Sequence, residues 1–274
     1  MDRQLLNTVL DLAESAGKAI LDVYDSPFKV DRKADESPVT EADLAAHAIL
    51  QAGLEDLLEG VPVLSEESRV PDFAQRSTWR RYWIIDPLDG TKEFIKRNGE
   101  FTVNVALIED HAPVLGVVHV PVSGVSYAGI ARQGAIRKEA DGRTSPIGVR
   151  SMTGRGQPGV PVAVVASRSH GSEAVEHLLK RLAFKLGVVD TCNMGSSLKL
   201  CLVAEGKADI YPRLAPTMEW DTAAAQAVVE AAGGVVLGAD LRVLRYNTKE
   251  DLLNPHFYVL GDSDFPWQEL LPAP

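Results

Sequence analysis

Apolar positions recur every three or four residues at the start of the chain, at Leu5, Val9, Leu12, Ala16, Ile20 and Val23. That period places them on one face of an amphipathic helix. A second helix is expected from Thr40, with Leu44, Ala45, Ile49 and Leu54 on its apolar face and Gly60 beyond its end. The pattern then changes. Tyr82–Ile85, Thr102–Ile108, Pro113–Val120 and Val125–Ala131 are apolar, largely β-branched runs separated by turn residues. They predict consecutive strands, an antiparallel meander packed on the first two helices.

From Ala140 to Pro161 the residues shift to Gly, Pro, Ser, Thr and Arg, which marks a boundary. It divides the chain into an α+β half, residues 1–150, and an α/β half, residues 161–274. Strands are expected at Val162–Ala166, Gly187–Val189, Ala208–Tyr211, Val235–Leu237 and Phe257–Leu260. Helices at Ser172–Leu182, Ser197–Glu205 and Thr222–Ala232 alternate with them, and Gly233-Gly234 stops the last one. The fold class is layered α+β and α/β, helix on sheet.

Composition narrows the partners. Of 274 residues, 45% are hydrophobic and 24% charged, which excludes a disordered or fibrous chain. The 38 acidic residues against 28 basic ones give a net charge of −10, unsuited to gripping polymeric nucleic acid. A small phosphorylated substrate stays open, because metal ions reverse the local charge of an acidic site. Two cysteines, Cys192 and Cys201, are too few for a disulfide framework and read as buried, reduced thiols of a cytoplasmic protein. The N-terminus mixes acids with apolar residues and is no signal peptide. No apolar run is long enough for an integral membrane segment.

The most informative stretch is Trp83-Ile84-Ile85-Asp86-Pro87-Leu88-Asp89-Gly90-Thr91. An apolar strand ends in a turn that Pro87 and Gly90 can curl back, aiming Asp86, Asp89 and the Leu88 carbonyl at one point. Hard oxygen donors converging in this way suit Mg2+. Two further acidic segments follow apolar elements or open them. Glu66-Glu67 comes after Val61-Pro62-Val63-Leu64-Ser65, and Asp221 opens an Ala-rich helix. Each has a plain alternative: solvated loop acids for the first, a helix N-cap for the second.

In order and approximate spacing, Glu66-Glu67, Asp86-Pro87-Leu88-Asp89-Gly90-Thr91 and Trp220-Asp221 resemble the metal-binding motifs of the inositol monophosphatase-like superfamily of lithium-sensitive phosphatases. Thr91-Lys92-Glu93-Phe94, Gly195-Ser196-Ser197-Leu198-Lys199 and the tail from Tyr246 through Leu252-Leu253-Asn254-Pro255 to Phe257 are similar to its bacterial CysQ-type branch, the 3'(2'),5'-bisphosphate nucleotidases. The likeness runs from about Leu6 to Leu260 and implies the αβαβα sandwich of that fold. It also implies a ligand set. Glu66, Asp86 and the Leu88 carbonyl would hold one Mg2+, and Asp86, Asp89 and Asp221 a second. A weaker third ion through Glu66 or Glu67 is left open.

Thr91 and Asp43 are the proton relay that the likeness implies, with Asp43 in Pro38-Val39-Thr40-Glu41-Ala42-Asp43. Thr40-x-x-Asp43 also reads as a helix capping box, and the two roles are compatible. Lys33 stands ahead of this stretch, either beside the carboxylates or in solvent. Gly195, Ser196 and Ser197 open a helix whose backbone N–H groups can receive an anion, and Lys199 adds a charge. The likeness extends substrate contacts to Ser167-Arg168-Ser169-His170, with His170 as a binding residue, and to Glu66, Leu88, Asp89, Gly90, Thr91 and Asp221.

The implied activity is Mg2+-dependent removal of the 3'-phosphate of adenosine 3',5'-bisphosphate by water, clearing a by-product of sulfate assimilation. An inositol or sugar phosphatase with the same metal core is the second reading, and a non-catalytic nucleotide-binding protein the third. The expected partner is a small nucleotide bisphosphate. Monomer and homodimer both stay open, as does a loose association with the inner membrane.

Overall fold

The computed structural model describes residues 2–32, 38–166 and 173–271. Helix α1 (Arg3–Tyr24) buries Leu6, Val9, Leu10, Ala13, Ala16 and Ile20 along one face. Asp2 caps it, its Oδ1 accepting the Gln4 N–H at 3.0 Å. Two short antiparallel strands, β1 (Val30–Arg32) and β2 (Pro38–Thr40), lead into α2 (Glu41–Leu57), which buries Ala42, Ala46, Leu50 and Leu54.

Next come β3 (Val63–Ser65), α3 (Phe73–Arg76), β4 (Arg81–Asp89), α4 (Thr91–Ile95) and β5 (Thr102–Glu109). Then follow β6 (Ala112–Val120), β7 (Val125–Ile130), β8 (Gly134–Lys138) and β9 (Thr144–Ile147). Their seven-stranded sheet runs in chain order from β3 to β9. The expected meander is there, with one exception to antiparallel pairing: β3 runs parallel to β4. The sheet also extends beyond its predicted limit, since β8 and β9 carry it into the Gly- and Arg-rich segment.

The rest of that segment is tied down. Arg150 makes a two-pronged ion pair with the buried Asp209 at 2.6 and 2.7 Å, and the Met152 N–H donates to Asp262 at 2.8 Å. Composition signals a linker here, but a bidentate Arg–carboxylate pair from a distant element overrides it.

The second half holds β10 (Val162–Ala166), α5 (Glu173–Leu186), β11 (Val189–Asn193), α6 (Leu198–Ala204), β12 (Ile210–Arg213), α7 (Glu219–Ala231), β13 (Val235–Gly238) and β14 (Phe257–Leu260). The sheet order is β11-β10-β12-β14-β13. Gly187, expected to start a strand, instead closes α5: it has φ +97° and donates to Ala183 O at 3.0 Å. Ser172, the expected first residue of this helix, lies outside the described residues.

Helices α1 and α2 cover one face of the first sheet, and α7 covers the other. Helices α6 and α7 fill the space between the sheets, while α5 and Trp267 close the outer face of the second. These five layers are the αβαβα sandwich. Cys201 is buried in α6, but Cys192 on the edge strand β11 is only half-buried. Among the described residues, no helix is long and apolar enough to cross a membrane.

Candidate active site

Strand β4 does not stop at Ile85. It continues through Asp86-Pro87-Leu88-Asp89 with a slip in its pairing to β5, so that Asp86 stands opposite Asn104 and Asp89 opposite Thr102. Pro87 has no N–H to give the ladder, and the strand bulges around it. The Leu88 N–H turns back to donate to Asp86 Oδ1 at 3.0 Å. Gly90, at φ +97°, then swings the chain into α4 close against the Glu100 backbone, a conformation open to glycine.

Parallel pairing brings in the second acid. Ser65 of β3 aligns with Ile85, and the Glu66 N–H donates to Ile85 O at 3.3 Å, setting Glu66 beside Asp86. The third comes from α7. Asp221 is not its N-cap; it lies in the first turn and accepts the Met218 N–H at 2.8 Å. One carboxylate oxygen each from Glu66, Asp86 and Asp221 lie within 4.8 Å of one another. Glu67 follows with its N–H donating to Ser65 Oγ at 3.2 Å and is not a member of this group of three.

Burial pushes the Asp86 carboxyl well above the ordinary range, helped by the charges of Glu66, Asp89 and Asp221. Asp221 is raised in the same way by burial and Asp89. Such a crowd of converging carboxylate oxygens fits a hard divalent cation.

Asp89 also binds the two halves together. Its Oδ2 accepts from Ser196 Oγ and from the Ser197 N–H at 2.7 Å, while Glu100 Oε2 accepts the Gly195 N–H at 2.8 Å. This corrects one expectation. The N–H groups of Gly195 and Ser197 at the start of α6 are occupied by the protein's own carboxylates. Asp43 matches both of its expected geometries. Its Oδ2 accepts from Thr40 N–H and Oγ1, each at 2.7 Å, closing the capping box of α2. Its Oδ1 lies 3.3 Å from Thr91 Oγ1.

A cavity of about 460 Å³ opens beside this cluster, lined by Asp89, Gly90, Ser196, Ser197 and Asp221 together with Lys92, Lys96, Lys199, Tyr211 and Arg213. Lys199 is 8% exposed, donates to Ser196 O at 2.6 Å and sits over the Tyr211 ring. Burial lowers its pKa to about 8. Arg213 donates to Pro216 O at 2.9 Å, while its Nε is buried with no partner among the described residues. Lys33, Arg168 and His170 lie outside the described residues.

The inositol monophosphatase family pattern matches residues 1–264. The chain belongs to the inositol monophosphatase family. Among relatives, the Escherichia coli protein named 3'(2'),5'-bisphosphate nucleotidase CysQ is 49% identical over 257 residues, covering 93% of this chain and 99% of that one. The Haemophilus influenzae protein of the same name is 38% identical over 271 residues, or 98% and 97% of the two chains. The crystal structure of CysQ from Bacteroides thetaiotaomicron superposes with a TM-score of 0.81 at 45% identity, over 93% of this chain and 97% of that one. SuhB from Bartonella henselae, at 21% identity and a TM-score of 0.76 over 97% and 96% of the two chains, shares the fold.

Inositol monophosphatase family members are metal-dependent, and this chain carries an acidic cluster of Glu66, Asp86 and Asp221. Sequence reasoning missed Arg213, Tyr211, Glu100, Asn104 and Lys96 as parts of the site. Arg213 ends the Ile210-Tyr211-Pro212-Arg213 strand eight residues before Asp221, and that position was its one signal.

Proposed function

We propose that this chain is a Mg2+-dependent phosphatase that removes the 3'-phosphate of adenosine 3',5'-bisphosphate, giving AMP and phosphate. The observation that carries this reading is a carboxylate cluster beside a cavity holding Lys199 and Arg213, in a chain 49% identical to a named bisphosphate nucleotidase. An acidic cluster alone suits many phosphatases. Cations lining the same cavity suit a substrate that carries a second phosphate.

In this reading Glu66, Asp86 and the Leu88 carbonyl would hold one Mg2+, and Asp86, Asp89 and Asp221 would hold a second. Glu67 is left for a third. Bound Mg2+ would offset the carboxylate charge, orient the phosphoryl oxygens and acidify water. The chain's own residues do the rest. Thr91 passes its hydroxyl proton to Asp43 as it takes one from the attacking water. The water oxygen bonds to phosphorus, the bond from phosphorus to the ribose 3'-oxygen breaks, and that oxygen takes up a proton. Gly90, Gly195, Ser196 and Ser197 shape the wall of the cavity, and Lys199 and Arg213 pair with the 5'-phosphate. Arg168 and His170 complete the nucleotide contacts.

Phosphate release from adenosine 3',5'-bisphosphate, measured against Mg2+ with inositol 1-phosphate run alongside, tests the reading. The bisphosphate should be preferred in kcat/KM by more than about tenfold, the worth of one charge-assisted contact, and chelation should abolish release from both. A preference for inositol 1-phosphate would overturn the substrate, and release that persists after chelation would overturn the metal mechanism.

A further inference from the structure

The segment from Tyr246 to Asn254 ends in the Leu252-Leu253-Asn254 sequence, yet it contributes no side chain to the carboxylate group or its cavity. It wraps the first turn of α7. Tyr246 Oη donates to Gln226 Oε1 at 2.7 Å, and the Asn247 N–H donates to the Glu219 carboxylate at 2.8 Å. These contacts hold the helix at its first residue and in its body.

Asn254 shares the Thr222 hydroxyl with Tyr246, its Nδ2 donating to Thr222 Oγ1 at 3.0 Å, and adds contacts ahead of the helix. It grips both peptide groups that flank Met218. Its N–H donates to Thr217 O at 2.8 Å, and its Nδ2 donates to Met218 O at 2.7 Å. The peptide joining Thr217 to Met218 is the one whose N–H donates to Asp221 Oδ2 at 2.8 Å. The Asn254 backbone thus holds the peptide that donates to Asp221, and its side chain, 8% exposed, holds the next one, so Met218 is fixed from both sides.

We infer that Asn254 is a positioning residue for the metal centre, fixing Met218 so that the Asp221 carboxylate stays turned toward Glu66 and Asp86. The inference rests on the reading of Asp221 as a Mg2+ ligand. Residues that orient metal ligands in this way are generally worth about ten- to a hundredfold in metal affinity.

The test is Mg2+ affinity of the substrate-free protein by titration calorimetry, with melting temperature and steady-state kinetics alongside. Asn254→Ala should weaken Mg2+ binding by about tenfold or more and lower kcat at limiting Mg2+, with KM for the nucleotide little changed. Asn254→Asp keeps the size and the backbone N–H but loses the Nδ2 donor. It should show the same loss of affinity, and it carries the test if the alanine variant does not fold. Tyr246→Phe loosens the same strap without touching Met218; it should lower the melting temperature and leave Mg2+ affinity unchanged. Equal weakening by Tyr246→Phe would overturn the inference, because the strap would then act only through helix stability. Undiminished affinity in Asn254→Ala would also overturn it, provided Asp221→Asn binds Mg2+ weakly. If Asp221→Asn also binds normally, the ligand reading itself falls.

Discussion

Asp43 serves two partners with two oxygens: Oδ2 closes the α2 capping box, and Oδ1 faces Thr91. The fixed helix start is what holds the second oxygen in place, so the capping box supports the relay proposed for the same side chain. Thr91→Ala should therefore lower kcat by about a hundredfold or more while leaving KM for the bisphosphate nearly unchanged. A rise in KM alone would make Thr91 a binding residue. At this scale the acidic residues were legible in the sequence because the Asp86–Asp89 turn aims its oxygens at one point, while Glu66 and Asp221, each with a plain structural use, joined it through the likeness to a family. The cationic lining was legible only in part. Lys199 stood out beside the Gly195-Ser196-Ser197 helix start, but Arg213 looks like an ordinary solvated charge until the fold places it in one cavity with Asp89 and Asp221.

Helix α7 is the element on which most depends, since it packs on the first sheet, reaches β13 of the second and carries Asp221. Its approach to the sheet is set by Gly116 on β6, where an added Cβ would come within 2.1 Å of Ala224 O and 2.7 Å of Ala227 Cβ. Neither the helix backbone nor the sheet can yield cheaply. Gly116→Ala should cost about 1–3 kcal/mol in urea unfolding, and a variant as stable as the parent would show that α7 is free to shift. The helices and central strands were readable because burial on one or both faces imposes a period. The parallel placement of β3 and the bulge at Pro87 were not, because register is a property of two segments far apart in the chain. Strands β8 and β9 escaped for another reason: half-exposed and edge positions carry polar residues that read as linker.

The whole molecule closes the site from both halves. Glu66 and Asp86 come from the first sheet, Asp221 from the helix between the sheets, and Ser196 and Ser197 of the second half hold Asp89. No local pattern announces that residues 66 and 221 meet; the likeness to a family supplied it. Crowding of these acids has a consequence for stability. A carboxyl whose pKa rises on folding binds more protons in the native than in the unfolded chain, so stability falls as pH climbs from the ordinary carboxylate range toward the raised value. The chelated protein should thus melt at progressively lower temperature as pH rises above the ordinary carboxylate range. Added Mg2+ should offset this increasingly, since deprotonated ligands bind it better, reaching about 2.7 kcal/mol at a hundred times its dissociation constant. Melting curves that ignore Mg2+ at every pH would contradict this. The ion proposed to serve the chemistry would then also act as a folding ligand, and the amount of native enzyme would become a readout of free magnesium.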